Sequence, residues 1–199
     1  MQLVPGGLGS AADVGIVHRA EQLRKTRLKT FFNELANSRV PLTQQIIESD
    51  DFLHCFFCAT RAAMNTRREE KIILFAKILQ ASVSFTPPDD LDEIEELIGV
   101  VDKVSGREWK ALTILSSFDK TFRIKGNNDL QWAMTFWNEF EAAVSKELAI
   151  PPYEVAAFLN HIERTGLYAQ FVGGFMDYAG GVGKLTQKFY RLIDLIQPV

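Results

Sequence analysis

Between residues 129 and 148 the chain sets Trp132, Phe136, Phe140, Val144 and Leu148 at strict intervals of four. That interval follows the α-helical turn of 3.6 residues, so the side chains stack along one face of a long predicted helix. An aromatic face of that length must be covered, which commits the chain to helix packed on helix. The cover is available, because 47% of the 199 residues are hydrophobic. Trp137 lies off the four-spaced line.

The same periodicity recurs along the chain. A basic amphipathic helix is expected over 18–36, with Leu23, Leu28, Phe31, Phe32 and Leu35 on its apolar side. A second opens at Pro41 and runs to about Asn65, carrying Ile46, Ile47, Phe52, Leu53, Phe56 and Phe57. TRRE (66–69) predicts a capping box at the start of a third, and PPDD (87–90) stops that helix and starts a short acidic one. SGRE (105–108) is a second capping box, ahead of a helix at 106–121 with Trp109, Leu112, Leu115 and Phe118. Pro151 and Pro152 separate the 129–148 helix from the next, YEVAAFLNHIERTG, for which Gly166 is a C-terminal cap. Aromatic and β-branched residues broken by glycines over 167–185 predict a β-hairpin, and a last helix runs from Thr186 to about Ile196. Residues 1–16, interrupted by Pro5, Gly6, Gly7, Gly9 and Gly15, are expected to form an irregular arm. The expected organisation is that arm, a helical N-terminal region over 17–104 and a C-terminal region over 105–199; the length also suits one domain.

A net charge of −3 argues against chain-wide attraction to nucleic acid or to acidic membranes. Two cysteines are too few for a secreted disulfide scaffold. There is no apolar run of membrane-spanning length, and MQLVPGGLGSAADVGIV lacks the basic flank of a signal peptide, so a cytoplasmic location without integral membrane association is expected.

Several local patterns invite chemistry. AGGVGKLT (179–186) has the look of a phosphate-binding loop, but Tyr178 stands where the first glycine is required and Leu185 where the hydroxyl is required. A glycine-rich turn with Thr186 as helix N-cap explains the string better. HCFFC (54–58) holds a C-x-x-C pair, and His54 and Cys58 also share a helix face at a spacing of four. A structural zinc normally takes four ligands, while His18 and His161 are remote in sequence, so Cys55 and Cys58 are read as buried structural thiols with no metal or cofactor. The acidic group Asp89, Asp90, Asp92, Glu93, Glu95 and Glu96 is read as helix-start charge on a solvated face. The densest basic group is Arg19, Arg24, Lys25, Arg27 and Lys29.

The C-terminal segment IPPYEVAAFLNHIERTGLYAQFVGG…GVGKLTQKFYRLIDLI (150–196) resembles the second half of a winged-helix domain. Ile162 to Leu167 matches the step from helix to wing, and Leu185-Thr186 with Phe189, Leu192 and Ile193 matches the return into a closing helix. The resemblance implies a trihelical core completed by the helices at 106–121 and 129–148. The general layout is also similar to uncharacterised bacterial helical proteins, some linked with phage defence.

The expected fold is therefore mostly α, a helical N-terminal half with a winged-helix-like C-terminal half and one small β-hairpin. No catalytic constellation stands out, so a non-enzymatic regulatory or protein-interaction role is expected, with a protein partner or a homo-oligomer. The alternative is a DNA-binding regulator contacting nucleic acid through Arg19, Arg24, Lys25 and Arg27 on the basic helix and Lys184, Lys188 and Arg191 near the wing.

Overall fold

The computed structural model describes residues 8–37, 42–84, 89–122, 128–172 and 181–196. Among these the protein is mostly helical, with one small two-stranded antiparallel hairpin. No helix among the described residues is long and apolar enough to cross a membrane. The chain divides into two compact units, Met1–Asp102 and Lys103–Val199.

Unit 1 holds α1 (Leu8–Ala36), α2 (Gln44–Ile47), α3 (Asp50–Asn65), α4 (Glu69–Ser84) and all but the last residue of α5 (Asp89–Lys103). Helices α1, α3 and α4 pack on one another. Buried residues on α3 are Phe52, Cys55, Ala59, Ala62 and Ala63, a 3-and-4 pattern whose alanines let a neighbouring helix approach closely. Phe75, Ala76, Ile78 and Leu79 of α4 and Phe31 of α1 are fully buried. Two hydrogen bonds fasten α1: Arg27 Nη1 donates to the Met64 carbonyl at 2.6 Å and Gln80 Nε2 to the Glu34 carbonyl at 2.7 Å. The first places a cation at the C-terminal end of α3, where the helix dipole favours it.

Three expectations change in this unit. The arm expected over 1–16 is helical from Leu8 onward, and its first seven residues lie outside the described ones. Gly9 and Gly15 each cost a helix only about 1 kcal/mol, which propagation from a packed C-terminal half offsets. The single helix expected from Pro41 to Asn65 is instead α2 and α3, each with its own cap. Thr43 accepts from the Ile46 amide and Ser49 from the Phe52 amide, and Asp50 and Asp51 then favour a new N-terminus. The TRRE box does not form. Thr66 ends α3 and accepts from the Arg68 amide at 3.3 Å, which moves the start of α4 beyond the reach of a reciprocal bond.

Unit 2 holds α6 (Gly106–Phe122), α7 (Asp129–Leu148), α8 (Pro152–Glu163), β1 (Tyr168–Gln170), β2 (Gly183–Leu185) and α9 (Gln187–Ile196). Helix α7 packs on α6 and α8, and β2 lies against both α6 and α7. Its face buries Trp132, Phe136, Phe140 and Val144, and Trp137 is buried with them while donating to Glu141 Oε1 at 3.1 Å. Phe118 of α6 stacks on Phe136 at 5.6 Å and meets Phe140 edge-on at 6.1 Å.

The SGRE box does form. The Ser105 amide donates to Glu108 Oε2 at 2.6 Å, and the Glu108 amide donates to Ser105 Oγ at 3.2 Å. Arg164, which caps the C-terminus of α8, brings Nη1 to 2.9 Å from Glu108 Oε1 and Nη2 to 3.3 Å from Oε2. Glu108 is 2% exposed. Burial works to raise its carboxyl, but the Ser105 hydrogen bonds and the Arg164 bond and charge outweigh it and leave it below its ordinary value.

Gly166, at a left-handed φ of 71°, turns the chain from α8 into the hairpin. Tyr168 pairs with Leu185 and Gln170 with Gly183. A Cβ at Gly183 would collide with the Tyr168 ring and hydroxyl. Thr186 closes the hairpin: its Oγ1 donates to the Gly166 carbonyl at 2.6 Å, its amide to the Leu167 carbonyl at 3.1 Å, and its Oγ1 accepts the Phe189 amide at 3.4 Å as the cap of α9.

Two predictions follow from this geometry. Gly183→Ala should cost unit 2 about 1–3 kcal/mol in chemical denaturation, the usual penalty of overpacking; an unchanged midpoint would show that Tyr168 yields freely. Glu108→Gln keeps a cap-competent amide but removes the charge facing Arg164, and should cost about 1–2 kcal/mol at neutral pH, since Arg164 is partly solvated. Because the Glu108 carboxyl is lowered from 4.5, its contribution is present above that pH and is lost as pH falls through the folded value. The difference between wild type and variant should therefore shrink in acid.

Candidate functional site

The basic residues expected to meet nucleic acid fall in two sets on different units. Arg19, Arg24 and Lys25 are exposed on α1, while Arg27 is half-buried and already donates to the Met64 carbonyl. In unit 2, Lys184 lies within β2, pairs with Asp129 Oδ2 at 2.8 Å and sits 5.4 Å from the centre of the Phe171 ring. Lys188 and Arg191 are half-buried on α9.

A different cluster gathers around HCFFC. The two thiols, both free, have separate environments. Cys55 is buried in the core of unit 1, and burial, then the charges of Cys58, Glu95, Asp51 and Asp92, push its thiol up to about 11. Cys58, one turn on, is half-exposed. His54 and Cys58 face α5, where Glu95 meets both: His54 Nε2 lies 3.1 Å from Glu95 Oε2, Cys58 Sγ lies 3.8 Å from the same His54 nitrogen, and Sγ lies 3.9 Å from Glu95 Oε1. The reading of both cysteines as buried structural thiols thus holds for Cys55 and changes for Cys58. Glu95, expected to be solvated helix-start charge, is half-exposed but turned toward α3.

The wiring decides what this cluster can do. A nucleophilic cysteine relay uses the two ring nitrogens of histidine for different partners, one toward sulfur and the other toward the carboxylate. Here one nitrogen, Nε2, faces both, so three donor atoms converge instead of forming a line. These three residues bring their donor atoms within 4.8 Å of one another. Beside them lies a hollow of about 130 Å³ bordered by Arg61, Asn65, Gly99 and Asp102. Spacing pairs His54 with Cys58 in the sequence; Glu95, 37 residues beyond Cys58, carries no sequence signal that it belongs with them.

Unit 1 also bears an apolar hollow of about 340 Å³, lined by Phe32 and Leu35 of α1, Ile47 of α2, Phe52 and Phe56 of α3, and Leu42. Phe32, Phe52 and Phe57 surround Phe56 at ring separations of 5.8–6.3 Å. Phe32 and Ile47 are each 47% exposed and Phe57 is 63% exposed. At the opposite end of α1, Val14, Ile16 and Val17 are 57–69% exposed.

Comparison with protein-family models, with curated proteins and with solved structures finds no match to this chain.

The two thiols should be told apart by reactivity. A disulfide reagent at neutral pH is expected to label one thiol per native chain rapidly and the second only on unfolding, and Cys58→Ser should remove the rapid phase. Rapid labelling of both would contradict the burial of Cys55.

Proposed function

We propose that the protein is a non-enzymatic regulatory or protein-interaction protein that works as a homodimer, with α1 of each copy antiparallel to α1 of the other. The observation that carries this reading is an exposed apolar stripe at one end of α1 and an apolar hollow, shared with α2 and α3, at the other. Helix α1 has 29 residues, about 43 Å, whereas α3 and α4 have 16 each, about 24 Å, so α1 outruns the helices that pack on it. Ile16, Ala20 and Leu23 extend the face that further along buries Phe31, and Ile16 is 68% exposed. At the other end the hollow exposes Phe32 and Ile47. A two-fold axis sets stripe against hollow twice, since in such an interface residue i meets j and j meets i. Charge agrees with the pairing: α1 exposes Arg19, Arg24 and Lys25 beside the stripe, and Glu48, Asp50 and Asp51 are exposed near the hollow.

A cytoplasmic setting belongs to this reading, since it keeps Cys55 and Cys58 reduced. So does a winged-helix-like unit 2, which the order of three helices, a hairpin and a closing helix supports. A DNA-contacting role has less support, because Lys184 and Arg27 already have partners.

Sedimentation of the full chain at micromolar concentration should give a dimer. Ile16→Glu on the stripe and Ile47→Glu at the hollow that receives it should each weaken the dimer at least about thirtyfold while leaving helicity intact, a change of roughly 2 kcal/mol. A wild-type monomer at tens of micromolar would refute the proposal, and salt-sensitive duplex binding by such a monomer would favour the DNA alternative.

A further inference from the structure

We propose that His54 Nε2, Cys58 Sγ and a Glu95 carboxylate oxygen form a three-residue site for a zinc-class divalent cation, with a fourth position open toward the hollow beside Cys58. The proposal stands independently of the dimer, because the site uses α3 and α5 of one chain.

Four observations carry it. The first is convergence, since a single imidazole nitrogen faces both the sulfur and the carboxylate. The second is scale. Tetrahedral zinc with its usual bond lengths of about 2.0–2.3 Å separates neighbouring ligand atoms by roughly 3.3–3.6 Å. The three separations here are 3.1, 3.8 and 3.9 Å, so small side-chain rotations bring all three donors to bonding distance. The third is the donor set: thiolate, imidazole and carboxylate suit zinc and neighbouring transition metals, and a sulfur ligand disfavours calcium and magnesium. The fourth is support. His54 and Cys58 are one turn apart on a sixteen-residue helix, and α5 is held beside the same unit by Lys71 Nζ donating to the Asp102 carbonyl at 2.8 Å.

On binding, the Cys58 thiol gives its proton to solvent, and the proton shared between His54 Nε2 and Glu95 Oε2 leaves that contact, so that thiolate, imidazole lone pair and carboxylate oxygen can all take the metal. Three protein ligands leave one coordination position for water or for an incoming donor. Arg61, Asn65 and Asp102 border the hollow on that side and would meet whatever occupies it. Bound metal would also join α3 to α5 across 37 residues of sequence between Cys58 and Glu95, stabilising unit 1 by mass action.

The test is to strip the full-length chain with chelator under reducing conditions and titrate it with Co²⁺, then compete with Zn²⁺. One equivalent of cobalt per chain is expected, with a thiolate-to-metal charge-transfer band, the intense visible bands of a four-coordinate centre, and displacement by zinc. Cys58→Ser should abolish the charge-transfer band, and His54→Ala and Glu95→Ala should each weaken zinc binding at least about tenfold. His54 and Glu95 are 62% and 50% exposed, so these variants should fold as wild type, which circular dichroism verifies. Cys55→Ala should retain the band. Absence of stoichiometric binding, a cobalt spectrum without thiolate character, or a band lost with Cys55 and kept without Cys58 would each overturn the proposal.

Discussion

Unit 2 is organised around a carboxylate that has almost no water to turn to. Glu108 can remain ionised at 2% exposure only while the Ser105 amide and the Arg164 guanidinium both face it. Meeting that condition sets where α6 begins and where α8 ends, because each partner lies at one of those termini. The end of α8 in turn places Gly166, whose left-handed turn launches β1, and Thr186 bonds back to Gly166 and Leu167 before starting α9. The last helix then returns to α6 through Trp109 against Phe189 and through Tyr190 donating to Asp119. One buried charge thus begins a circuit that closes on the helix it started from.

Unit 1 is governed by unequal lengths. Its shorter helices leave both ends of α1 incompletely covered, and the surplus apolar surface is where a partner is inferred. The middle helix, α3, serves two faces. Phe52 and Phe56 line the apolar hollow, whereas His54 and Cys58 meet Glu95. The division follows from helical geometry: residues two apart are about 200° apart around the axis, so Phe52 and His54, and likewise Phe56 and Cys58, point to opposite sides of α3.

Much of the helical layout is legible without coordinates. The intervals of four from Trp132 to Leu148 fall on α7, which occupies the expected 129–148, and SGRE identifies the start of α6 through a box whose two bonds both form. TRRE has equally good letters and fails, because Thr66 is used to end the preceding helix. The break at Ser49 was available in its side chain and the two acids that follow, yet the apolar pattern of 46–57 runs straight across it. Periodicity reports which face is buried and is silent about a one-residue cap. The His54–Cys58 pair is legible from spacing alone, but its third member depends on how α5 lies against α3, which is a tertiary fact. Exposure of Phe32 has the same origin, since a helix face reads as core whether or not a neighbour reaches it.

The glycine at position 183 shows how one letter can serve unlike physical demands. In a phosphate loop a glycine is required because an anion must approach the backbone; here it is required because a tyrosine ring already occupies the space. The glycine of the Gly183-Lys184 pair answers to a volume constraint between two strands, and the lysine beside it is paired with Asp129. Short glycine–lysine strings in helical proteins therefore need their steric partner identified first, since an aromatic residue facing the glycine across a hairpin is enough to produce them.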